Sequence, residues 1–101
     1  MDNLEAIRDI LWQHVGKSNK VTSSQIAKKI NINDDATHAK TRALILKTAK
    51  KYKLPLAANN RGYYLINIKT EYDEYIKNLD SRIAGIEERK KIITDNYKDK
   101  E

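Results

Sequence analysis

The chain has 101 residues, with 20 Lys and Arg against 14 Asp and Glu and no cysteine. A chain of this length allows one domain with a modest core, and the lack of cysteine excludes a disulfide framework and a thiolate metal site. The amino-terminal stretch lacks the apolar run of a signal peptide, and no segment approaches the roughly 18 apolar residues of a membrane span. We therefore expect a soluble, cytoplasmic protein that uses neither a metal ion nor another cofactor.

Positive charge is concentrated in the first two thirds of the chain. Residues 1–69 hold 13 Lys and Arg and 5 Asp and Glu, a net charge of +8, whereas residues 70–101 hold 7 and 9, a net charge of −2. A positive field on a small domain favours a polyanion such as DNA or RNA. We predict a domain over residues 1–69 and a separate helix over residues 70–101.

The first predicted element is a helix from about Asn3 to Val15. Asp2 or Asn3 is placed to cap its start, and Gly16 is placed to end it. Apolar residues recur at spacings of three and four, which is typical of a helix with one face towards a core. These residues are Leu4, Ile7, Ile10, Leu11 and Val15. Trp12 flanks this stripe, and we expect it to pack in the core or against another helix rather than to stack on a base.

The segment VTSSQIAKKI predicts a short second helix that starts at Ser23. Thr22 and Gln25 have the spacing of a capping box, in which each side chain accepts a hydrogen bond from the backbone N–H of the other residue. The apolar residues of its two turns are Ile26, Ala27 and Ile30. Because so short a helix is not stable alone, we expect it to dock on its neighbours.

The segment Asp34–Tyr52, DDATHAKTRALILKTAKKY, predicts the helix around which the domain is organised. One stripe predicts contact with a core: Thr41, Leu44, Ile45, Thr48 and Tyr52. The opposite side carries Thr37, His38, Lys40, Lys47, Lys50 and Lys51, and Asn33, Asp34 or Asp35 is placed as the cap. Such a helix suits the major groove of DNA, which is wide enough to admit it. The alternative is an ordinary solvated face.

The spacing of the apolar residues changes after Lys53, where KLPLAANNRGYYLINI predicts a β-hairpin. Pro55 ends helix propagation, and the turn residues Asn59-Asn60-Arg61-Gly62 include types that tolerate the positive φ angles of hairpin turns. The predicted strands are Leu54–Ala58 and Gly62–Ile68, with Arg61 at the tip. A short helix, a tight turn, a longer basic helix and a hairpin together predict a mostly α fold with a small β-hairpin wing.

The runs VTSSQIAKKIN and TRALILKTAKKYKLPLAANNRGYYL resemble the winged helix-turn-helix domains of bacterial and phage regulators. These include the biotin-repressor type, whose wing likewise ends in a Gly-Tyr pair. The chain resembles especially the small phage proteins of low-GC Gram-positive bacteria in which such a domain precedes a charged helix. The resemblance covers about residues 4–68 and implies double-stranded DNA as the partner.

The resemblance also implies which residues contact DNA. The base-reading positions in the first turns of the long helix are Thr37, His38, Lys40, Thr41 and Arg42, and the wing position is Arg61. Lys28 and Lys47, which the predicted helices direct outwards, complete the candidate set. Asp34 and Asp35 depart from the pattern, because carboxylates at the start of this helix would repel phosphate.

The last third of the chain predicts one long helix with a heptad seam. The seam residues are Tyr72, Ile76, Leu79, Ile83, Ile86, Lys90, Ile93 and Tyr97. In a parallel pair of such helices Arg82 faces Glu87 of the other copy, whereas an antiparallel pair brings like charges together. We therefore predict a parallel homodimer through Tyr72, Ile76, Leu79, Ile83, Ile86 and Ile93. In the alternative, the helix folds back over its own domain.

Patterns of catalysis are missing from the sequence, which has no Gly-rich phosphate loop, nucleophile motif or metal-ligand spacing. The adjacent carboxylates Asp34-Asp35 and Glu87-Glu88 are explained by helix capping and solvation. We predict a sequence-specific DNA-binding protein rather than an enzyme, acting as a dimeric transcriptional regulator of phage or mobile-element origin. Two alternatives stay open: a protein-interaction module that inhibits or adapts a host protein, and a DNA-binding accessory of replication or packaging.

Overall fold

The fold was obtained as a computed structural model, which describes residues 2–99, with Asp99 by its backbone alone. The chain is mostly helical and has one small hairpin. Its elements are α1 (Asn3–Trp12), α2 (Ser23–Lys29), α3 (Ala39–Tyr52), β1 (Leu56–Asn59), β2 (Gly62–Leu65) and α4 (Lys69–Asp99). Residues up to Glu71 form one compact unit and residues from Tyr72 onwards form a second.

Helix α1 is shorter than predicted and ends at Trp12 rather than near Val15. Asp2 caps its start, because its carboxylate accepts a hydrogen bond of 2.8 Å from the backbone N–H of Glu5. The chain leaves the helix because it joins the hairpin: the backbone N–H of Leu65 donates to the carbonyl of His14 at 2.9 Å. Trp12 is 54% exposed, so the prediction that it packs in the core is wrong.

The loop after α1 runs alongside β2 and extends the hairpin. Val15 and Val21 each form an isolated β-bridge, with Leu65 and Tyr63 respectively. Gly16, at φ +97°, donates its backbone N–H to the carbonyl of Leu65 at 2.8 Å. Strand β2 is therefore covered on both edges, by β1 and by this loop.

Helix α2 begins at Ser23, as predicted, and its capping box is confirmed. The Thr22 hydroxyl accepts from the backbone N–H of Gln25 at 3.1 Å, and the Gln25 side chain accepts from the backbone N–H of Thr22 at 2.9 Å. Ile26 and Ala27 are buried, and this burial docks the short helix on the rest of the unit.

The hairpin is antiparallel, with Leu56 opposite Leu65 and Asn59 opposite Gly62. Asn60 and Arg61 form the turn, so the predicted position of Arg61 at the tip is confirmed. Both strands are shorter than predicted. The backbone N–H of Ile66 donates to the carbonyl of Pro55 at 2.9 Å, but Pro55 has no N–H to return this bond, and the strand pairing ends there.

The core of the first unit combines the three short helices with the hairpin. Its buried members are Ile7, Ile10, Leu11, Val21, Ile26, Ile45 and Leu65. Helices α1 and α3 pack against each other, and the guanidinium of Arg8 lies 4.8 Å from the centre of the Tyr52 ring. The core therefore holds α3 from one side and leaves its other side to solvent.

The second unit is part of the 31-residue helix α4. The predicted seam residues lie on this helix, and most are exposed: Tyr72, Ile76, Ile83, Ile86, Ile93 and Tyr97. Leu79 is half-buried. Among residues 2–99, no helix combines the length and apolar character needed to cross a membrane.

Candidate functional site

Helix α3 begins five residues later than predicted, at Ala39, because Asp34 caps it from a distance. A carboxylate oxygen of Asp34 accepts hydrogen bonds from the backbone N–H and from the hydroxyl of Thr41, both at 2.7 Å. The first backbone N–H groups of a helix lack intrahelical partners, and Asp34 satisfies one of them. The N-cap residue is His38, which lies in the left-handed region at φ 55° and gives no side-chain cap.

The two aspartates before α3 accept hydrogen bonds from residues of the loop and of the first turn of the helix. The carboxylate of Asp35 accepts from the backbone N–H of Thr37 at 3.0 Å and from its hydroxyl at 2.6 Å. The Thr41 hydroxyl lowers the pKa of Asp34, and the Thr37 hydroxyl lowers the pKa of Asp35. Both carboxylates are therefore held in the ionised form by contacts that fix the loop.

The prediction for Thr41 needs a correction, because Thr41 was placed both in the core stripe and among the base-reading residues. It is fully buried, and its hydroxyl and backbone N–H both donate to Asp34. Thr41 is therefore not accessible to a base, and it belongs to the stripe that it shares with Ile45 and Thr48.

The exposed surface of α3 divides into two flanks and a centre. At about 100° per residue, Lys40, Lys47 and Lys51 lie on one flank of the buried stripe, and Arg42 lies on the other. The centre, opposite the stripe, carries Ala39, Ala43, Leu46 and Lys50, all of them exposed. The predicted DNA contacts Lys40, Arg42 and Lys47 therefore lie at the edges of this surface rather than along its middle.

The cations of α3 are not neutralised inside the unit. Within the described part of the chain, the side chains of Lys40, Arg42, Lys47 and Lys50 are exposed and form no ion pair. The nearby carboxylates are used elsewhere: Asp34 and Asp35 in the turn, Asp2 at the start of α1, and Asp9 in a 3.0 Å ion pair with Arg8. The outward side of α3 is consequently a cationic surface.

A polar cleft joins the start of α2, the start of α3 and the hairpin turn. Its volume is about 300 Å³, and its lining comprises Thr22, Ser23, Thr37, Arg42, Asn59, Asn60, Gly62 and Tyr63. Three segments distant in sequence therefore meet around Arg42 and Thr37, two of the residues predicted to contact DNA. The hairpin turn and the Arg42 flank of α3 form one continuous surface.

A second cleft, of about 310 Å³, brings Lys28 and His38 together. It lies between α2 and the loop before α3, and its other lining residues are Ser24, Ala27, Asn31, Ile32, Asn33 and Asp34. His38 is half-buried, and its Nδ1 is buried without a hydrogen-bond partner among the described residues. The His38 side chain is therefore less accessible than the exposed cations of α3.

Arg61 is exposed at the hairpin tip, and a hydrogen bond closes the turn beneath it. Its backbone N–H donates to the Asn59 side chain at 2.8 Å. Gly62, at φ +140°, closes the turn against the loop after α1, where a Cβ would lie 2.6 Å from the carbonyl oxygen of Val21. Side chains at this position are thus excluded, and the tip is held at a fixed place in the unit.

The central apolar residues Ala39, Ala43 and Leu46 were not among the predicted contacts. Sequence reasoning emphasised hydrogen-bonding and cationic side chains, although the spacing of the core stripe already placed these three opposite it. Leu46 is 59% exposed. The described residues contain no cluster of three or more His, Cys, Asp or Glu that could hold a metal ion.

Comparisons of the chain with protein families, curated proteins and solved structures give no match.

Proposed function

We propose that residues 4–68 form a winged helix-turn-helix domain that binds double-stranded DNA. In this proposal α2 and α3 are the helix-turn-helix, α3 enters the major groove, and the β1–β2 hairpin is the wing. The order and lengths of the elements support the proposal, as does the capping box that fixes the start of α2. Helix α3 has the size that the major groove admits.

The observation that carries the proposal is the polar cleft shared by Arg42 and the hairpin turn. A helix in the major groove has a phosphate backbone along each side, and a wing reaches the backbone or the minor groove next to it. Arg42 lies on the flank of α3 that adjoins the hairpin, and Lys40 and Lys47 lie on the other. We assign these flank cations, together with Arg61 and Lys28, to phosphates.

The test is the dependence of binding on salt. Anisotropy of a labelled duplex would be measured with the full chain at salt concentrations from about 50 to 200 mM, over which phosphate contacts lose affinity steeply. We expect log affinity to fall linearly with log salt, with a slope of about −0.9 for each phosphate neutralised. Absence of duplex binding at the lowest salt concentration would contradict the proposal.

We also propose that α4 pairs with α4 of a second copy in parallel, so that two DNA-binding domains act together. Its exposed apolar seam supports this, because a single helix cannot bury a stripe of its own, and Arg82 and Glu87 are placed for attraction between parallel copies. A dimer reading two half-sites suits a transcriptional regulator of phage or mobile-element origin. A replication or packaging accessory would use the same contacts.

A protein-interaction module is the second candidate, and exposed apolar side chains favour it. Trp12 on α1 and Leu46 on α3 are both more than half exposed. An interface with an apolar centre responds to salt much less than phosphate binding does. A partner bound equally well across the salt series, with no affinity for duplex DNA, would support this candidate instead.

A further inference from the structure

The centre of the exposed face of α3 carries an apolar row formed by Ala39, Ala43 and Leu46. The three residues recur at spacings of four and three, directly opposite the buried stripe of Thr41, Ile45 and Thr48. All three are exposed. A single exposed Leu needs no explanation, but this row occupies the middle of a surface whose two edges are cationic.

The cationic edges indicate what the row faces. A helix in the major groove has base edges in front of it and a phosphate backbone on either side. On α3 three of the unpaired cations lie at the sides, Lys40 and Lys47 on one flank and Arg42 on the other, and Lys50 follows Leu46 at the carboxyl-terminal end of the central row. The apolar row is left for the floor of the groove, where the base edges lie.

Apolar side chains distinguish among base pairs by a simple rule. The C5-methyl group of thymine is the methyl group that the major groove presents, and the groove otherwise offers mainly hydrogen-bond donors and acceptors. An Ala or Leu pressed against the edge of a G·C pair would leave those groups dehydrated and without partners, at a cost in free energy. The row therefore matches thymine and disfavours G·C.

We propose that Ala39, Ala43 and Leu46 contact thymine methyl groups, so that the DNA site of this protein carries thymines in the half-turn of major groove that α3 covers. This inference rests on the proposed DNA binding and adds the chemistry by which a site is selected. Base recognition over the part of α3 from Ala39 to Leu46 is then apolar, and the flank cations supply affinity without sequence preference.

The test uses deoxyuridine, which differs from thymidine in the base by the missing methyl group. Binding sites for the full chain would first be selected from random duplexes. Each thymine of the selected site would then be replaced by uracil in turn, which keeps every hydrogen-bonding group of the base pair. We expect two or three replacements to weaken binding by about fourfold each, as the loss of one buried methyl group predicts.

Leu46→Ala connects the effect to the row. Because Leu46 is exposed, the variant keeps its core, and it should bind the thymine site more weakly while losing the methyl effect at one position. Trp12→Ala is the matched control, since it also truncates an exposed apolar side chain of the same unit. It should leave both the affinity and the methyl effect unchanged.

The possible outcomes distinguish failure of the thymine inference from failure of the proposed DNA binding. Duplex binding that responds to salt but not to any uracil replacement would overturn the thymine inference and leave DNA binding intact. Selected sites without thymine opposite α3 would do the same. Absence of duplex binding at the lowest salt concentration would overturn both, and would leave the row to the apolar groove of a protein partner with acidic edges.

Discussion

At the scale of single residues, the contact between Asp34 and Thr41 decides where α3 begins. The sequence suggested that the two aspartates would disturb DNA binding by repelling phosphate. Instead, each carboxylate accepts a hydrogen bond from a threonine hydroxyl: Asp34 from Thr41, and Asp35 from Thr37. Their negative charge lies in the turn before α3 and is not on its outward face.

Thr41→Val tests this capping contact, because it keeps the shape of the side chain and removes the hydroxyl. Thr48→Val is the matched control: its hydroxyl donates to the neutral carbonyl of Leu44 at 2.7 Å, a bond of about 0.5–1.5 kcal/mol. We expect Thr41→Val to lower the free energy of unfolding more than the control, since its acceptor is charged. Urea denaturation measures both, and equal losses would contradict the prediction.

The same contact predicts a pH dependence with a defined sign. The pKa of Asp34 lies below its ordinary value of 3.8, chiefly through the Thr41 hydroxyl. A carboxyl group whose pKa is lowered in the folded state stabilises the fold at pH values above its ordinary pKa. This stabilisation is lost as the pH falls through the pKa of the folded state. The difference between the parent and Thr41→Val should therefore shrink below about pH 4. A difference that is constant down to pH 2 would exclude Asp34 as the charged acceptor.

Arg42→Ala tests how the flank of α3 is used. Because Arg42 lies beside the hairpin turn rather than on the central face, we expect a phosphate contact. The variant should weaken binding to specific and random duplexes alike and reduce the salt slope by about 1. A selective loss of about 1–3 kcal/mol on the specific site would instead assign Arg42 to a base, with guanine as the usual partner of arginine. The family resemblance implies such a base-reading position.

At the scale of elements, the hairpin depends on the close approach of Gly62 to the loop after α1. A Cβ there would lie 2.6 Å from the carbonyl oxygen of Val21, and φ is +140°. Gly62→Ala should therefore destabilise the first unit by more than about 1 kcal/mol. Gly85→Ala is the control: no atom lies within 4 Å of the added Cβ, and the helix should gain about 0.5–1 kcal/mol.

Thermal unfolding followed by circular dichroism distinguishes the two glycine variants. A lower midpoint for Gly62→Ala, together with an unchanged or higher midpoint for Gly85→Ala, is the expected result. A Gly62→Ala protein as stable as the parent would show that the hairpin can move away from Val21 at little cost.

The proposed role of the hairpin as a wing can be tested at its tip without disturbing this packing. Arg61 is exposed, and only its backbone N–H takes part in the turn. Arg61→Ala should weaken binding to all duplexes and reduce the salt slope by about 1, with unchanged stability. Lys77→Ala, which removes one charge from the second unit, provides the control. If both variants bind like the parent, the wing does not contact DNA.

At the scale of the whole molecule, the proposed dimer depends on the seam of α4. Ile83 is 54% exposed, and we place it at an a position between two parallel helices. Ile83→Asp introduces a charge from both copies into an apolar seam, a penalty on the order of several kcal/mol. The dimer should dissociate, whereas the first unit should stay folded because its core contains no seam residue.

Sedimentation of the parent and of Ile83→Asp measures this directly, with Lys77→Ala as an exposed-site control. A dimeric parent and a monomeric, folded mutant are expected, and the mutant should lose more affinity on two half-sites than on one, since its domains no longer share a binding event. A parent that sediments as a monomer would remove the dimer from the proposal.

Several local features of the fold could be predicted from the sequence alone. The capping box of Thr22 and Gln25, the turn at Asn60-Arg61 and the order of helices and strands each follow from contacts within a few residues. Such short-range contacts are encoded by adjacent residue types, and they were predicted correctly.

Only the tertiary structure decided what depends on contacts beyond neighbouring residues in the sequence. Helix α1 stops at Trp12 because His14 bonds to Leu65, and this leaves the Trp12 side chain exposed. Helix α3 starts at Ala39 because Asp34 reaches Thr41, seven residues ahead. The cleft around Arg42 requires the hairpin turn to fold back on α2 and α3. The sequence pattern names candidate residues, but long-range packing determines which of them share a surface.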